Sequence, residues 1–454
     1  MTINRALAIA NRFPHDFTIQ YPPRREYFRD YFQARPDPVE ISRLVTAAPN
    51  LLLYVHVPFC AARCSYCNFA IDLQQDRGYH ARYVAGLRQQ LASLDSRLPA
   101  ETKVQGIDIG GGTPTILDDD LLAGLLQQLD PFIRRSDHLR PVSIETTPAV
   151  AVTFPDRLRR LADGGIDRVS MGLQSSSAGL LADINRADQI GQQERSIKEL
   201  VKARFARVNV DLIFGLPGQS MSDWDADLRS VAESPVTSVT TYDCIYRGRG
   251  RRLALQQDSR PSPQHYGDLY DHAYDRLRAA GFHANYGSLN FSRFPSETGT
   301  SPYFEGRLYD ALPYFGVGNY ASSRLGDWWW FAPYQVEKWL AAVERSDDFP
   351  IGDAYRLPIS EWLTKQVLLA LSFGKIPALR FDAAFGPGWR EIVGPALEFA
   401  VINGWLRVTT DGWELVHRGF RDMPSIRALF YTPEAVTWLE DVANCESGYH
   451  PADS

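Results

Sequence analysis

Residues 51–70 read LLLYVHVPFCAARCSYCNFA, an apolar, β-branched run that turns at Pro58 into a loop carrying Cys60, Cys64 and Cys67. In composition and length the run is a buried strand. Three thiols within eight residues are too close for an ordinary disulfide framework, and the chain's five cysteines are an odd number. The loop therefore points to metal or redox chemistry in a reducing compartment.

Outward from this strand, short apolar runs alternate with longer amphipathic segments, the mark of βα units around a parallel sheet. Strands are expected at 51–57, VQGIDIG (104–110), PVSIETT (141–147), DRVSMGLQ (167–174), RVNVDLIFG (207–215) and TSVTTYDCIY (237–246), with helices such as 79–94 and 224–233 between them. The expected fold class is α/β, a partial (β/α)6 barrel, in which chemistry gathers at the carboxyl ends of the strands. Residues 1–50, rich in Arg, Pro and aromatics, read as an N-terminal arm, and 51–290 as the barrel. An aromatic and Gly-rich extension, 291–358, is expected to close the site, and 359–454 to form an α+β C-terminal domain. Within that domain INGWLRVTTDGWELVHRGF (402–420) has the helix, two short strands and DG turn of a winged-helix-like unit.

The 454 residues carry a formal net charge of -6 and are 44% hydrophobic, enough for a large core. A pI near 5.9 gives no basic footprint for nucleic acid. RGRGRR at 247–252 reads as a solvated loop, and the winged-helix-like unit as a lid or packing module. No apolar stretch approaches the roughly 20 residues of a membrane span. The start, MTINRALAIANRFPHDF, lacks the apolar segment of a secretory signal, so a cytoplasmic location is expected.

Three thiolates on one loop can hold three irons of a 4Fe–4S cluster and leave the fourth iron open to a bidentate amino acid. By spacing alone a Cys3His zinc site, completed by His56 or His80, is an alternative. Cys244 and Cys445 have no partner pattern and read as small buried hydrophobes. The second strand ends in Gly110-Gly111-Gly112-Thr113-Pro114-Thr115, where glycine lets a ligand approach the backbone.

From Tyr54 to Cys67, the C-x3-C-x2-C spacing with Tyr66 inside it closely resembles the radical S-adenosylmethionine superfamily, and more narrowly its oxygen-independent coproporphyrinogen oxidase-like, or HemN-like, branch. The resemblance implies that Cys60, Cys64 and Cys67 hold a 4Fe–4S cluster whose open iron takes S-adenosylmethionine. It assigns the methionyl ammonium to the run around Gly111, Gly112 and Thr113. Ribose hydroxyls and the methionyl carboxylate go to Glu145, Gln174, Arg186 and Asp211, whose donors and acceptors suit them. Tyr54 would stand near the sulfonium and Ile245 on the adenine, and a second S-adenosylmethionine would lie near Tyr66, Gly112 and Thr113. Tyr54 and Tyr66 are the implied catalytic side chains. The implied partners are an electron donor such as flavodoxin or ferredoxin and a separate pathway enzyme for ring closure, with no nucleic acid and no membrane.

Two departures bear on the reaction. The porphyrinogen oxidases follow the third cysteine closely with another, where this chain has Cys67-Asn68-Phe69. The haem-chaperone group carries His-Asn-x-x-Tyr-Trp after its barrel, where this chain has EGRLYDALPYFGVGNYASS (305–323). Both direct the expectation to a third group, the class C methylases and cyclopropane-forming enzymes of antibiotic biosynthesis. These transfer a one-carbon unit from a second S-adenosylmethionine to an sp2 carbon of a small aromatic substrate. The alternatives are an oxygen-independent coproporphyrinogen III oxidase, a haem-degrading methylase, and a haem carrier without turnover. Tyr303, Tyr309, Asp310, Tyr314 and Tyr320 are candidate pocket residues, with aromatic core as the competing reading. Of Trp328, Trp329 and Trp330, at least one is expected to face solvent, the N-terminal arm or a flat ligand.

Overall fold

The structure is a computed structural model and describes residues 3–12, 25–32, 37–138, 141–244, 261–284, 289–345, 349–416 and 422–444. Six parallel strands form its centre: β1 (Asn50–Val57), β2 (Lys103–Gly111), β3 (Val142–Thr146), β4 (Arg168–Gln174), β5 (Arg207–Phe214) and β6 (Ser238–Asp243). Each lies within a few residues of its sequence expectation. Their continuous apolar runs are explained by burial on both faces, which parallel strands require. The connecting helices start on side-chain caps. Asp76 accepts from the Tyr79 amide at the head of helix Arg77–Arg97, and Ser220 with Asp223 makes a capping box for helix Met221–Ala232.

The chain from Asn290 onward, which includes the 291–358 stretch expected to close the site, also lengthens the sheet. It supplies β7 (Asn290–Ser292), β8 (Tyr314–Val317), β9 (Ser322–Leu325), β10 (Trp328–Phe331) and β11 (Asp353–Arg356). The result is an eleven-stranded sheet in the order β11-β10-β9-β8-β1-β2-β3-β4-β5-β6-β7. β8 is parallel to β1, whereas β7, β9, β10 and β11 pair antiparallel with their neighbours. All three indoles of the Trp run are buried, at 3%, 6% and 2% exposure for Trp328, Trp329 and Trp330. Alternation sends Trp329 to one face, where it meets Phe28 of the N-terminal segment edge-on at 6.0 Å, and Trp330 to the other, against Phe315.

One sheet face, carrying Leu52, Tyr54 and Asp108, is filled at its lower end by helix Pro302–Leu308. Tyr303 meets Tyr54, Ser301 donates to Asp108, and Gly306 lies against Leu52. Gly106 on β2 permits that approach, because a Cβ there would come within 2.7 Å of the Pro302 carbonyl carbon. Gly106→Ala should therefore cost about 1–3 kcal/mol, the range for overpacking, read as a lowered Tm. An unchanged Tm would show that the helix is not held against β2.

The remaining chain packs around this frame. Helix Ile3–Arg12 lies on helices Met423–Leu429 and Pro433–Asn444. Tyr27 donates to the buried Glu361 carboxylate at 2.5 Å. β12 (Lys375–Pro377), β13 (Leu406–Thr409) and β14 (Gly412–Leu415) form a separate antiparallel sheet in the order β12-β14-β13. Its hairpin turns at Asp411-Gly412, with Gly412 at φ +139. No helix among the described residues is long and apolar enough to cross a membrane.

Candidate active site

The cysteine loop leaves β1 at the carboxyl end of the sheet and is pinned at several points. The Cys60 amide donates to Asp72 O at 3.0 Å, and the Arg63 guanidinium spans the Phe69 and Ile71 carbonyls at 3.2 and 3.0 Å. A second set of bonds ties the loop to the turn after β4. Ser65 N reaches Ile184 O at 3.0 Å, and Asn185 Nδ2 reaches Arg63 O at 2.8 Å. Arg186 from that turn donates to Gly172 O at 2.6 Å and Gln189 Oε1 at 3.1 Å, and its Nε points at Cys64 Sγ, 3.1 Å away.

Burial, followed by the neighbouring Cys67 and Cys64, pushes the Cys60 thiol up to about 11, against the opposing contact with Thr113 Oγ1 at 3.7 Å. Burial is also the main reason that the Cys67 thiol and the Tyr66 hydroxyl are raised. Three thiolates so placed need positive charge between them, which iron supplies. The zinc alternative loses its histidines. His56 Nε2 faces Ala70 O at 2.9 Å, so that nitrogen carries the proton, and Nδ1 is left to accept from the Tyr54 hydroxyl at 3.3 Å. Burial holds the ring neutral, with its pKa lowered to about 4. His80 Nε2 likewise faces Gln74 O at 2.8 Å, and its ring lies 4.0 Å from that of Phe59.

The glycine run is built for close approach, but its amides are mostly spent inside the protein. Gly112 N donates to Val57 O at 2.8 Å, Thr113 N to Phe59 O at 2.7 Å and Gly111 N to Glu145 Oε2 at 3.1 Å. Gly111 sits at φ +121, and a Cβ on Gly110 would strike the Glu145 carboxylate at 2.8 Å. A ligand ammonium, itself a donor, would be met here by oxygens.

The neighbouring strand ends gather acids and an amide. Burial pushes the Glu145 carboxyl up to about 7 and raises Asp211, although Asp211 accepts from Ser170 Oγ at 3.0 Å and Asn209 Nδ2 at 2.7 Å. Gln174 stands at φ +69, and its Oε1 is buried with no hydrogen-bond partner among the described residues. A strained backbone and an orphaned amide oxygen at the end of β4 suit a ligand hydroxyl. These residues and the thiols together fit a cluster with a bound amino-acid cofactor.

Of the pocket candidates from the divergent stretch, Tyr303 joins the site, its ring 5.7 Å from that of Tyr54. Tyr309 instead packs on Phe373 beneath Arg380, Asp310 pairs with Arg380, and Tyr320 lies between Phe331 and Tyr334. Cys244 is buried as expected. Ile245, Cys445 and the 247–252 run lie outside the described residues. Sequence reasoning missed Asp108, which shares the strand face of Gly110 and could have been found by alternation, and Tyr242 on β6, 40% exposed.

The family model of the Radical SAM superfamily matches residues 54–231. The chain is 29% identical over 359 residues to "Heme chaperone HemW" of Mycobacterium tuberculosis, covering 77% of this chain and 89% of that protein. To the protein of the same name in Lactococcus lactis it is 30% identical over 286 residues, 60% and 69% of the two chains. To the oxygen-independent coproporphyrinogen III oxidase of Pseudomonas aeruginosa it is 28% identical over 409 residues, 85% and 86%. Among solved structures, coproporphyrinogen III oxidase (HemN) from Escherichia coli superposes with a TM-score of 0.73 at 20% identity, over 88% of this chain and 95% of that one. These relatives overturn the expectation of a class C methylase or cyclopropane-forming enzyme acting on an antibiotic intermediate. They are named for haem chaperoning and coproporphyrinogen oxidation, and the need for a second S-adenosylmethionine as one-carbon donor lapses with that reading.

Proposed function

The chain belongs to the HemN-like branch of the radical S-adenosylmethionine superfamily, and on that footing we propose that it is an enzyme acting on a tetrapyrrole, with oxidative decarboxylation of coproporphyrinogen as the reaction. Its cofactors are a 4Fe–4S cluster and S-adenosylmethionine. In this reading Cys60, Cys64 and Cys67 would hold the cluster, and the chemistry it would supply is one-electron cleavage of the sulfonium to start hydrogen-atom transfer. Arg186, anchored on Gly172 and Gln189, keeps a positive charge against Cys64. Glu145, Gln174 and Asp211 orient the nucleoside and methionyl groups, while neutral His56 holds the Tyr54 hydroxyl beside them.

The observation that supports turnover, rather than carriage alone, is the buried polar set at the strand ends, above all Gln174 Oε1, which has no partner among the described residues. A protein that used only its cluster loop would have no need to keep such groups. Gln174→Ala should accordingly weaken S-adenosylmethionine binding about tenfold, the scale of one lost buried hydrogen bond. Equal affinities would remove Gln174 from the cofactor site.

The whole reading is tested anaerobically with the iron- and sulfide-reconstituted chain, dithionite, S-adenosylmethionine and coproporphyrinogen. The expected result is 5'-deoxyadenosine and methionine, stimulated by coproporphyrinogen, with one carbon dioxide released per S-adenosylmethionine as each propionate gives a hydrogen atom to the adenosyl carbon and its remaining electron to the oxidised cluster or an added one-electron acceptor. A second reading, a haem carrier, is favoured by the similarity to the haem chaperone of Mycobacterium tuberculosis. Tight haem binding with no consumption of S-adenosylmethionine would select it.

A further inference from the structure

On the sheet face that carries Tyr54, cross-strand pairing sets Leu52, Tyr314, Arg324, Trp329 and Tyr355 in one row, each directly opposite the next. Leu52 and Tyr54 are two residues apart on β1 and so share that face. Two helices lie over the row. Helix Pro302–Leu308 sets Arg307 over the Tyr314 ring at 4.5 Å, with Nη1 donating to the Tyr303 hydroxyl at 3.3 Å. Helix Ile359–Leu371 sets Lys365 Nζ over Trp329 at 4.5 Å, and its Trp362 lies under Arg324 at 4.7 Å.

Three cations from three separate elements thus converge on one aromatic-lined spot. Neither Arg307 nor Arg324 forms an ion pair with a carboxylate among the described residues. Arg324 gives Nη1 to Ala311 O at 2.8 Å, while its Nε is buried with no acceptor among the described residues. Asp108, whose Oδ2 accepts from Ser301 at 2.8 Å, is within electrostatic reach of Arg307. Arg307, Arg324 and Lys365 are each partly exposed. Burial and then the two guanidinia lower the Lys365 ammonium to about 7, the effect of gathering like charges.

We propose that Arg307, Arg324 and Lys365 form a receptor for a carboxylate of the substrate, on the same sheet face as Tyr54. Partly buried guanidinia with no carboxylate partner among the described residues, as at Arg307 and Arg324, are costly, and an incoming carboxylate removes that cost while taking the bidentate bonds that guanidinium offers. The receptor rests on the tetrapyrrole reading for its substrate class. A flat ring beside Tyr54 and Tyr303 would send one propionate to the cations and leave another toward the cofactor. The receptor then selects substrates by their acidic side chains as well as by the ring.

The test titrates coproporphyrin III, a fluorescent tetracarboxylate, and its tetramethyl ester into the cluster-reconstituted full chain. The free acid should bind at least about tenfold more tightly, the scale of a charge-assisted hydrogen bond. Arg324→Met and, independently, Lys365→Met should abolish that preference while leaving ester and S-adenosylmethionine affinities unchanged. Arg324→Lys should restore part of it. A preference that survives both Met variants overturns the receptor and leaves the tetrapyrrole reading standing. If neither porphyrin binds but Arg324→Met weakens binding of citrate, the receptor stands and the tetrapyrrole reading falls.

Discussion

Cys64→Ala should reduce 5'-deoxyadenosine formation to the level of a no-enzyme control and remove most of the visible iron–sulfur absorbance after reconstitution. Its position explains the size of the effect. Cys64 is bonded to Arg186, which also holds Gly172 and Gln189, so the substitution removes one thiolate and strands a guanidinium built to face it. With only Cys60 and Cys67 left, the loop would no longer hold a cluster with one defined open site, and the cofactor would lose its point of attachment. The second expected signature is a fall in S-adenosylmethionine affinity measured without reductant. Retained cleavage activity in the purified variant would sink the assignment of the cluster to this loop.

Asp108→Asn should raise the Tm of the cofactor-free chain much more at pH 8 than at pH 5. Asp108 is 7% exposed, keeps one oxygen without a partner among the described residues, and has its carboxyl pushed by burial from 3.8 up to about 7. The folded state therefore holds a proton that the unfolded chain releases between about pH 4 and 7. Its contribution to stability is complete below pH 4, falls as pH climbs through that window and is lost above about 7. At roughly 1.4 kcal/mol per unit, the ionised carboxylate costs at most on the order of 4 kcal/mol at pH 8, and asparagine removes that cost. Glu145, raised to about 7, acts in the same direction, so Glu145→Gln should shift the same arm of the profile. Equal gains for Asp108→Asn at the two pH values would show that Asp108 titrates normally.

The centre of the fold was legible because each element announces itself locally. LLLYVHV, VQGIDIG and RVNVDLIFG are long enough, and β-branched enough, to be strands wherever they lie, and the C-x3-C-x2-C spacing admits few chemistries. The outer sheet was not legible. YFGV, SSRL, WWWF and DAYR are four residues each, too short for a period to show, and they become strands through the neighbours they pair with. The same dependence hid Arg307, Arg324 and Lys365. A charged residue in a sequence reads as solvent-facing, and only assembly of the sheet edge with helix Ile359–Leu371 brings the three together. Gln174 was named for its chemistry, but its left-handed backbone carries no signal in MGLQS. The reaction was misread for another reason. Losing a cysteine at Asn68 and a signature in 305–323 marks distance from particular relatives, and distance alone does not say what replaces the old substrate.

Segments far apart in sequence are stitched together. Arg5 donates from Nε to Glu440 at 3.0 Å, 435 positions away, and Tyr27 donates to Glu361. During synthesis the first helix leaves the ribosome long before its seat exists. It must wait, apolar face uncovered, until helices Met423–Leu429 and Pro433–Asn444 have been made. The sheet can begin to form as its strands emerge, but helix Ile3–Arg12 is covered only once helix Pro433–Asn444 has been made. Nascent chains stalled short of that point should therefore be the species that aggregate or recruit holdases, while the released chain closes without them.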